Sequence, residues 1–119
     1  MYLPTLDWIK CQGNQWCNLF TVNLDHPHFD GLEGVYIIWH GGDRPWTVYV
    51  GQGVIKDRFA AHRQDPRIRQ YAPSGLFVTW AKVDAFHRDG VERFLADRLA
   101  PKEGTAHPQA LAIAVNLPW

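Results

Sequence analysis

An arginine and a histidine lie one helical turn apart in a segment that is predicted to form a helix. The segment runs from about Val54 to Gln64 and ends before Pro66. Arg58 and His62 then share nearly the same heading, beside an apolar stripe rather than on the fully solvated face. Because a charge at the core boundary needs a partner or an anionic ligand, this pair is a candidate site. An ordinary boundary arginine with a buried apolar stem shows the same pattern.

Two tyrosines on a predicted hairpin can join this pair. Val35–Trp39 and Trp46–Val50 are rich in β-branched and aromatic residues, and Gly41–Pro45 between them is a strong turn signal. Antiparallel pairing brings Tyr36 and Tyr49 close together, since each lies near the middle of its strand. The helix begins directly after the second strand, so all four side chains can converge at one edge of the sheet. β propensity alone also explains either tyrosine.

A glutamate on a later helix is the fifth candidate. This helix is predicted over Gly90–Leu99, where apolar residues recur at helical spacing and form a buried stripe. Glu92 lies at the margin of that stripe, from which a carboxylate can face a cleft. A solvated glutamate near a helix N-terminus, where negative charge is favoured, is the alternative.

Taken together, these residues resemble the GIY-YIG nuclease family. The resemblance spans roughly residues 33–101 and rests on Gly34-Val35-Tyr36, Tyr49-Val50-Gly51, Arg58-x-x-x-His62 and the helix with Glu92. It implies a GIY-YIG-like α+β fold and an endonuclease that hydrolyses phosphodiester bonds of nucleic acid with a divalent metal ion. DNA, rather than RNA, is the expected substrate.

The resemblance also implies a role for each residue. Tyr36 would act as general base toward water, and Tyr49 would hydrogen-bond in the same site. Arg58 would hold the scissile phosphate, and His62 would assist proton transfer or phosphate contact. Glu92 would ligate one Mg²⁺ or Mn²⁺. Because a free tyrosine has a pKa of about 10, Arg58 and the metal are expected to lower the pKa of Tyr36.

Other residues near the motifs are predicted to contact the substrate. They are Gly51, Gly53, Lys56 and Arg63. The glycines end the second strand, where exposed backbone N–H groups can bind an anion. The two basic residues belong to a run of positive charge over residues 56–69, next to the proposed site, although a solvated helix face explains them equally well.

An asparagine is also expected from the resemblance, shortly after the glutamate helix and past a proline. Pro101 follows that helix, but the next asparagine is Asn116. Its assignment as a substrate contact requires residues 102–109 to loop out.

The remaining segments complete one domain. Strands are predicted at Asn18–Asn23 and Leu76–Val83, a short helix at Arg67–Tyr71, and a strand or packed tail at Leu111–Val115. The order β-β-β-α-β-α predicts an α+β domain with a small central antiparallel sheet of three or four strands flanked by helices. Residues 1–30 are predicted to form an N-terminal arm with one added strand, packed on a nuclease-like domain of residues 31–119.

Composition restricts the choice of function. Hydrophobic residues make up 46% of the 119 residues, which predicts a packed core and excludes bulk disorder. Twelve basic and twelve acidic residues give zero net charge, which argues against a generic nucleic-acid coat. A secretory signal and a membrane-length apolar run are not found in the sequence, so we expect no membrane partner, a cytoplasmic protein, and reduced thiols at Cys11 and Cys17.

Other functional readings have less support. The spacing of Cys11, Cys17, His26 and His28 fits no strong zinc-site pattern. Ser74 is the only serine and lacks a nucleophile motif. The main alternative is a catalytically inactive binding module on the same scaffold. A nuclease that needs a partner protein for targeting is a further alternative, and it would explain the neutral net charge.

Overall fold

The computed structural model describes residues 5–104 and 107–119. Four antiparallel strands form one sheet: β1 (Cys17–Asn18), β2 (Glu33–His40), β3 (Trp46–Val54) and β4 (Leu76–Lys82). Their spatial order is β1-β4-β2-β3. The helices are α1 (Ile55–Gln64), α2 (Pro66–Arg69) and α3 (Ala85–Leu99), and short 3₁₀ turns lie at Gln12–Asn14, Pro27–Phe29 and Ala72–Ser74. The α+β class and the antiparallel sheet flanked by helices are therefore confirmed.

The central strand β2 is buried on both faces, and its alternating side chains divide the core into two clusters. Tyr36 and Ile38 pack with Phe59 of α1 on one face. Val35 and Ile37, together with residues of α3, pack on the opposite face. Because Tyr36 pairs with Gly51 in register, it shares its face with the part of β3 that leads into α1.

The predicted element boundaries differ from the structure in three places. The strand expected at Asn18–Asn23 is reduced to Cys17–Asn18, because the Asn18 carbonyl accepts the N–H groups of Thr21 and Val22 and closes a turn. α3 begins at Ala85 rather than Gly90, since the Asp84 side chain accepts the His87 N–H and caps the helix. β3 continues through Gly51 and Gly53 to Val54, although these glycines were predicted to end it. Leu111–Val115 forms the packed tail that was one of the two predicted alternatives.

The outer edge of β3 is covered by the segment that follows α3. Within Lys102–Gly104, called here the edge segment, the Lys102 N–H donates to the Thr47 carbonyl at 3.1 Å and the Glu103 N–H donates to the Val48 carbonyl at 2.8 Å. A Cβ on Gly104 would lie 2.5 Å from the Tyr49 ring, so only glycine fits there. The two residues that follow lie outside the described residues, as does that part of the predicted 102–109 loop.

The N-terminal arm packs along β4. The Ile9 N–H donates to the Trp80 carbonyl, and the Thr79 hydroxyl donates to the Ile9 carbonyl. A disulfide joins Cys11 and Cys17, so the prediction of reduced thiols is wrong. The pairing also removes both thiolates from the zinc arrangement considered above. Among the described residues, no helix combines the length and apolar character needed to cross a bilayer.

Candidate active site

A buried tyrosine hydroxyl lies at the centre of the predicted site. The Tyr36 side chain is fully buried, and its hydroxyl oxygen lies 2.6 Å from His62 Nε2. Arg58 Nε donates to the same oxygen at 3.2 Å. α1 follows β3 without a linker, which brings both helix residues over Tyr36 on the neighbouring strand. The two motifs that the sequence placed on separate elements therefore meet at one atom.

The second tyrosine lies at the more open side of this group. The Tyr36 and Tyr49 rings stack with centroids 6.1 Å apart, and the Tyr49 ring centroid is 4.5 Å from that of His62. An Arg58 Nη2 atom lies 3.4 Å from the Tyr49 hydroxyl, which makes a weak contact. Tyr49 and Arg58 are half-buried, in contrast to Tyr36. These two side chains are the ones that a ligand can reach.

This arrangement depends on glycine at two positions of β3. A Cβ on Gly51 would lie 2.3 Å from the Tyr36 hydroxyl, so a side chain there would displace the tyrosine. Gly53 has φ +131°, a conformation that other residues rarely adopt, and it lies beside the Arg58 stem. Of these two predicted substrate contacts, Gly51 therefore has a steric role in the structure and Gly53 a conformational one.

The hydrogen bonds indicate which of its two partners the Tyr36 hydroxyl donates to. Since Arg58 Nε–H can only donate, the Tyr36 hydroxyl accepts from it and donates its own proton to His62 Nε2. This requires His62 to be neutral. Burial, with a smaller contribution from the positive charge of Arg58, lowers the pKa of His62 to about 4. A neutral imidazole that accepts a hydrogen bond from the Tyr36 hydroxyl is consistent with that value.

The expected lowering of the Tyr36 pKa is not found. Burial raises the pKa of Tyr36 above its ordinary value and outweighs the lowering by the hydrogen bond and charge of Arg58. Without a metal ion the prediction is wrong, because it counted the charge of Arg58 and left out desolvation. In this structure, Tyr36 is a protonated phenol at neutral pH.

We expect the free energy of unfolding to fall by about 3 kcal/mol as pH drops from about 6.5 to about 4, because of His62. A folded-state pKa below that of the unfolded chain means that the unfolded state binds more protons in this range. The contribution is therefore complete above pH 6.5 and is lost as pH falls through about 4. Urea unfolding at a series of pH values measures this slope.

His62→Gln is the matched comparison, because glutamine retains an acceptor for Tyr36 and does not titrate. The other histidines titrate equally in both proteins, so the difference between the two curves isolates His62. Identical pH slopes for wild type and variant would contradict the assignment.

Glu92 lies on α3, which packs on the sheet face opposite Tyr36. Its side chain is buried, and this burial raises its pKa, an effect that nearby His107 and Gln52 partly offset. The Glu92 charge also contributes to the raised pKa of Tyr36, which places the carboxylate within electrostatic range of that hydroxyl. Gln52 Nε2 donates to Asp89 Oδ1 at 2.7 Å, one helical turn before Glu92. The predicted carboxylate thus lies in a buried, polar corner next to β3.

The donor set at Glu92 fits a hard divalent cation. A buried carboxylate with a raised pKa lacks a strong cationic partner, and Mg²⁺ and Mn²⁺ bind through one or two carboxylates with water completing their shell. Within residues 5–104 and 107–119, no group of three or more histidine, cysteine, aspartate or glutamate side chains is arranged around a common metal position. Any cation at Glu92 would therefore retain several waters.

Three predicted substrate contacts lie apart from this group. Asn116 forms two hydrogen bonds with the Leu6 backbone, at 2.7 and 3.0 Å, next to the core cluster on the sheet face opposite Tyr36. The structure therefore does not bring Asn116 to the site. The Arg63 guanidinium donates to the Leu19 and Val22 carbonyls in the loop after β1. Lys56 Nζ lies 3.4 Å from the exposed carboxylate of Asp25. Arg63 points about 140° around α1 from Arg58.

Two residues of this region were not predicted from the sequence. Gln52 follows Gly51 directly and points to the sheet face on which α3 packs, so its position in the second tyrosine motif was a usable signal. His107 lies beyond α3 in irregular chain, and no periodicity indicates where it points. Only the path of the edge segment along β3 brings that part of the chain back toward Glu92.

Comparisons with protein-family models, with curated proteins and with solved structures give no match to this chain. The likeness to the GIY-YIG family therefore rests on the order of its motifs and on the geometry of the residues that they contribute.

Proposed function

We propose that this protein is a divalent-metal-dependent endonuclease of GIY-YIG type that hydrolyses phosphodiester bonds of nucleic acid, with DNA the expected substrate. The observation that carries the proposal is the meeting of Tyr36, Arg58 and His62 at one hydroxyl oxygen. Three side chains from two sequence motifs converge there, and the Glu92 carboxylate is close enough for its charge to act on the Tyr36 hydroxyl. A fold that needed these residues only for packing has no requirement for that polar contact.

Arg58 is the residue suited to hold the scissile phosphate. Its guanidinium has five N–H donors in a plane, and those directed at the two tyrosines orient the group without using all of them. The remaining donors can form paired hydrogen bonds with phosphate oxygens. Because the side chain is half-buried, its charge is stronger toward a bound phosphate than it would be in open water.

Tyr36 and His62 together can move a proton from the attacking water. The Tyr36 oxygen accepts the water proton while its own proton passes to His62 Nε2, and the resulting hydroxide attacks phosphorus. This relay avoids a free phenolate, which the raised pKa of Tyr36 disfavours, and protonates His62 only transiently. Because the pKa of His62 is lowered, the imidazolium then gives up the proton to solvent or to the leaving oxygen. A divalent cation, when bound at Glu92, supplies charge neutralisation at the leaving oxygen.

The direct test is cleavage of supercoiled plasmid and single-stranded DNA in Mg²⁺, Mn²⁺ or EDTA. We expect nicking or linearisation with either metal ion and intact substrate in EDTA. An RNA substrate in the same assay determines whether the preference for DNA holds. A folded protein that leaves every substrate intact in both metal ions would refute the proposal.

A catalytically inactive binding module is the second candidate. The burial of the Tyr36 hydroxyl favours it, because this group already has two partners and a water molecule must compete for access. Such a module would bind nucleic acid or a partner protein equally well in EDTA and would not cut. Cleavage that appears only after addition of a partner protein would instead indicate a nuclease that is targeted in trans.

The cytoplasmic location stays a prediction. It implied reduced thiols, whereas the Cys11–Cys17 disulfide favours an oxidising compartment. Quantifying free thiols in protein purified under alkylating conditions from the native host decides between the two.

A further inference from the structure

A histidine from the chain beyond α3 faces the buried glutamate. His107 Nδ1 lies 3.6 Å from Glu92 Oε2, and the two side chains are 16% and 8% exposed. The sequence motifs that define the site do not include this histidine. The two groups come from different segments, and the edge segment on β3 brings them together.

The Nδ1 atom of His107 is buried, and it has no hydrogen-bond partner among the described residues. At 3.6 Å, the glutamate oxygen is too far for a hydrogen bond. Buried polar side-chain atoms are nearly always paired, and an orphan of this kind calls for a water or an ion as its missing partner. The orphan nitrogen and the carboxylate face each other, so a single cation between them would satisfy both.

The separation suits two ligands of one cation. Nitrogen and oxygen ligands of first-row divalent metals lie about 2.1 Å from the ion, so two such atoms are at most about 4.2 Å apart. Imidazole nitrogen is a good ligand for transition metals, whereas Mg²⁺ prefers oxygen donors. A glutamate–histidine pair is therefore expected to bind Mn²⁺ more tightly than Mg²⁺.

We propose that His107 Nδ1 is a second protein ligand, with Glu92, for a first-row transition-metal ion, and that the site prefers Mn²⁺ to Mg²⁺. The proposal rests on the proposed function for the role of Glu92 as the metal ligand. Water, or an oxygen of the bound phosphate, fills the remaining positions. The alternative is a protonated His107 that forms an ion pair with Glu92 and excludes metal.

The test is metal binding by the full chain, without substrate. Titration with Mn²⁺, followed by the electron paramagnetic resonance signal of the free ion, gives the affinity, and competition with Mg²⁺ gives the preference. Pulsed measurements detect a coordinated imidazole through coupling to ¹⁴N. We expect that coupling in the wild type, and we expect His107→Gln to abolish it and to weaken Mn²⁺ binding by at least about tenfold.

His87→Gln is the matched control, since His87 also faces a carboxylate but is exposed and hydrogen-bonded to Asp84 at 2.7 Å. It should bind Mn²⁺ as the wild type does. Bound Mn²⁺ without nitrogen coupling, or equal affinity in His107→Gln, overturns the proposal and leaves metal-dependent cleavage intact. Nitrogen-coupled Mn²⁺ in a protein that never cuts supports the site and refutes the nuclease. No Mn²⁺ binding at all overturns the proposed ligand pair, and cleavage in Mg²⁺ or Mn²⁺ then decides the proposed function separately.

Discussion

Arg58→Ala is expected to lower the rate of metal-dependent DNA cleavage by about 10²–10³-fold, as loss of one preorganised group that stabilises transition-state charge usually does. The substitution removes the proposed phosphate ligand and also the donor that fixes the Tyr36 hydroxyl. Tyr36 keeps His62 as a partner, so the fold should survive. Single-turnover cleavage of a labelled duplex at saturating enzyme measures the effect on the chemical step.

Arg93→Ala provides the control for this variant. Arg93 is also half-buried, but its guanidinium pairs with Asp97 one turn along α3. We expect its cleavage rate to stay close to the wild-type value, which excludes a general effect of lost positive charge. An Arg58→Ala protein that is folded and cleaves at the wild-type rate would remove Arg58 from the mechanism.

Glu92→Gln is expected to lower cleavage by at least about 10³-fold, because it removes the carboxylate that we propose binds the cation. The same variant should have a higher thermal unfolding temperature without metal. Burial raises the pKa of Glu92, so the ionised form costs folding free energy at neutral pH, and glutamine has the same shape without the charge. Cleavage rate and calorimetric melting of one preparation therefore move in opposite directions.

Glu103→Gln is the comparison for a second carboxylate near the site. Glu103 accepts a hydrogen bond from the Tyr71 hydroxyl and belongs to the edge segment, but it does not contact Glu92. Its cleavage rate should remain within a few-fold of the wild-type rate. If Glu92→Gln retains activity in Mg²⁺, the metal site is misassigned, whatever the change in melting temperature.

The convergence of four site residues could be predicted from local sequence. These residues lie on two adjacent strands, β2 and β3, and on α1, which follows β3 directly: Tyr36, Tyr49, Arg58 and His62. The side-chain repeats of a strand and of a helix, together with the short hairpin turn, determine their relative positions. Each neighbouring element constrains the next, and no distant contact is needed. The sequence could not give the pKa of Tyr36, because desolvation depends on how completely the two helices and the arm cover the sheet.

Contacts between distant segments were beyond prediction. Asn116 was assigned to the site from the resemblance, but the tail crosses α3 at Gly90, where an added Cβ would lie 2.5 Å from Ile113. That crossing carries the tail to the arm and away from Tyr36. The same glycine was read as the start of the helix, although it lies inside α3 as the place where the tail can approach. His107 was missed because irregular chain has no period from which a direction can be read.

The pairing of Leu6 with Asn116 has a consequence for how this fold can be combined with others. Leu6 and Asn116, near the two ends of the described residues, lie together on the face of the sheet opposite Tyr36. Domains whose ends are close together tolerate insertion into a loop of another protein and also circular permutation. In a circular permutant, the chain can be cut at the exposed hairpin turn, residues 41–45, to create new termini. The domain can therefore be inserted into a loop of a host protein, with Tyr36 on the sheet face opposite the two points of attachment.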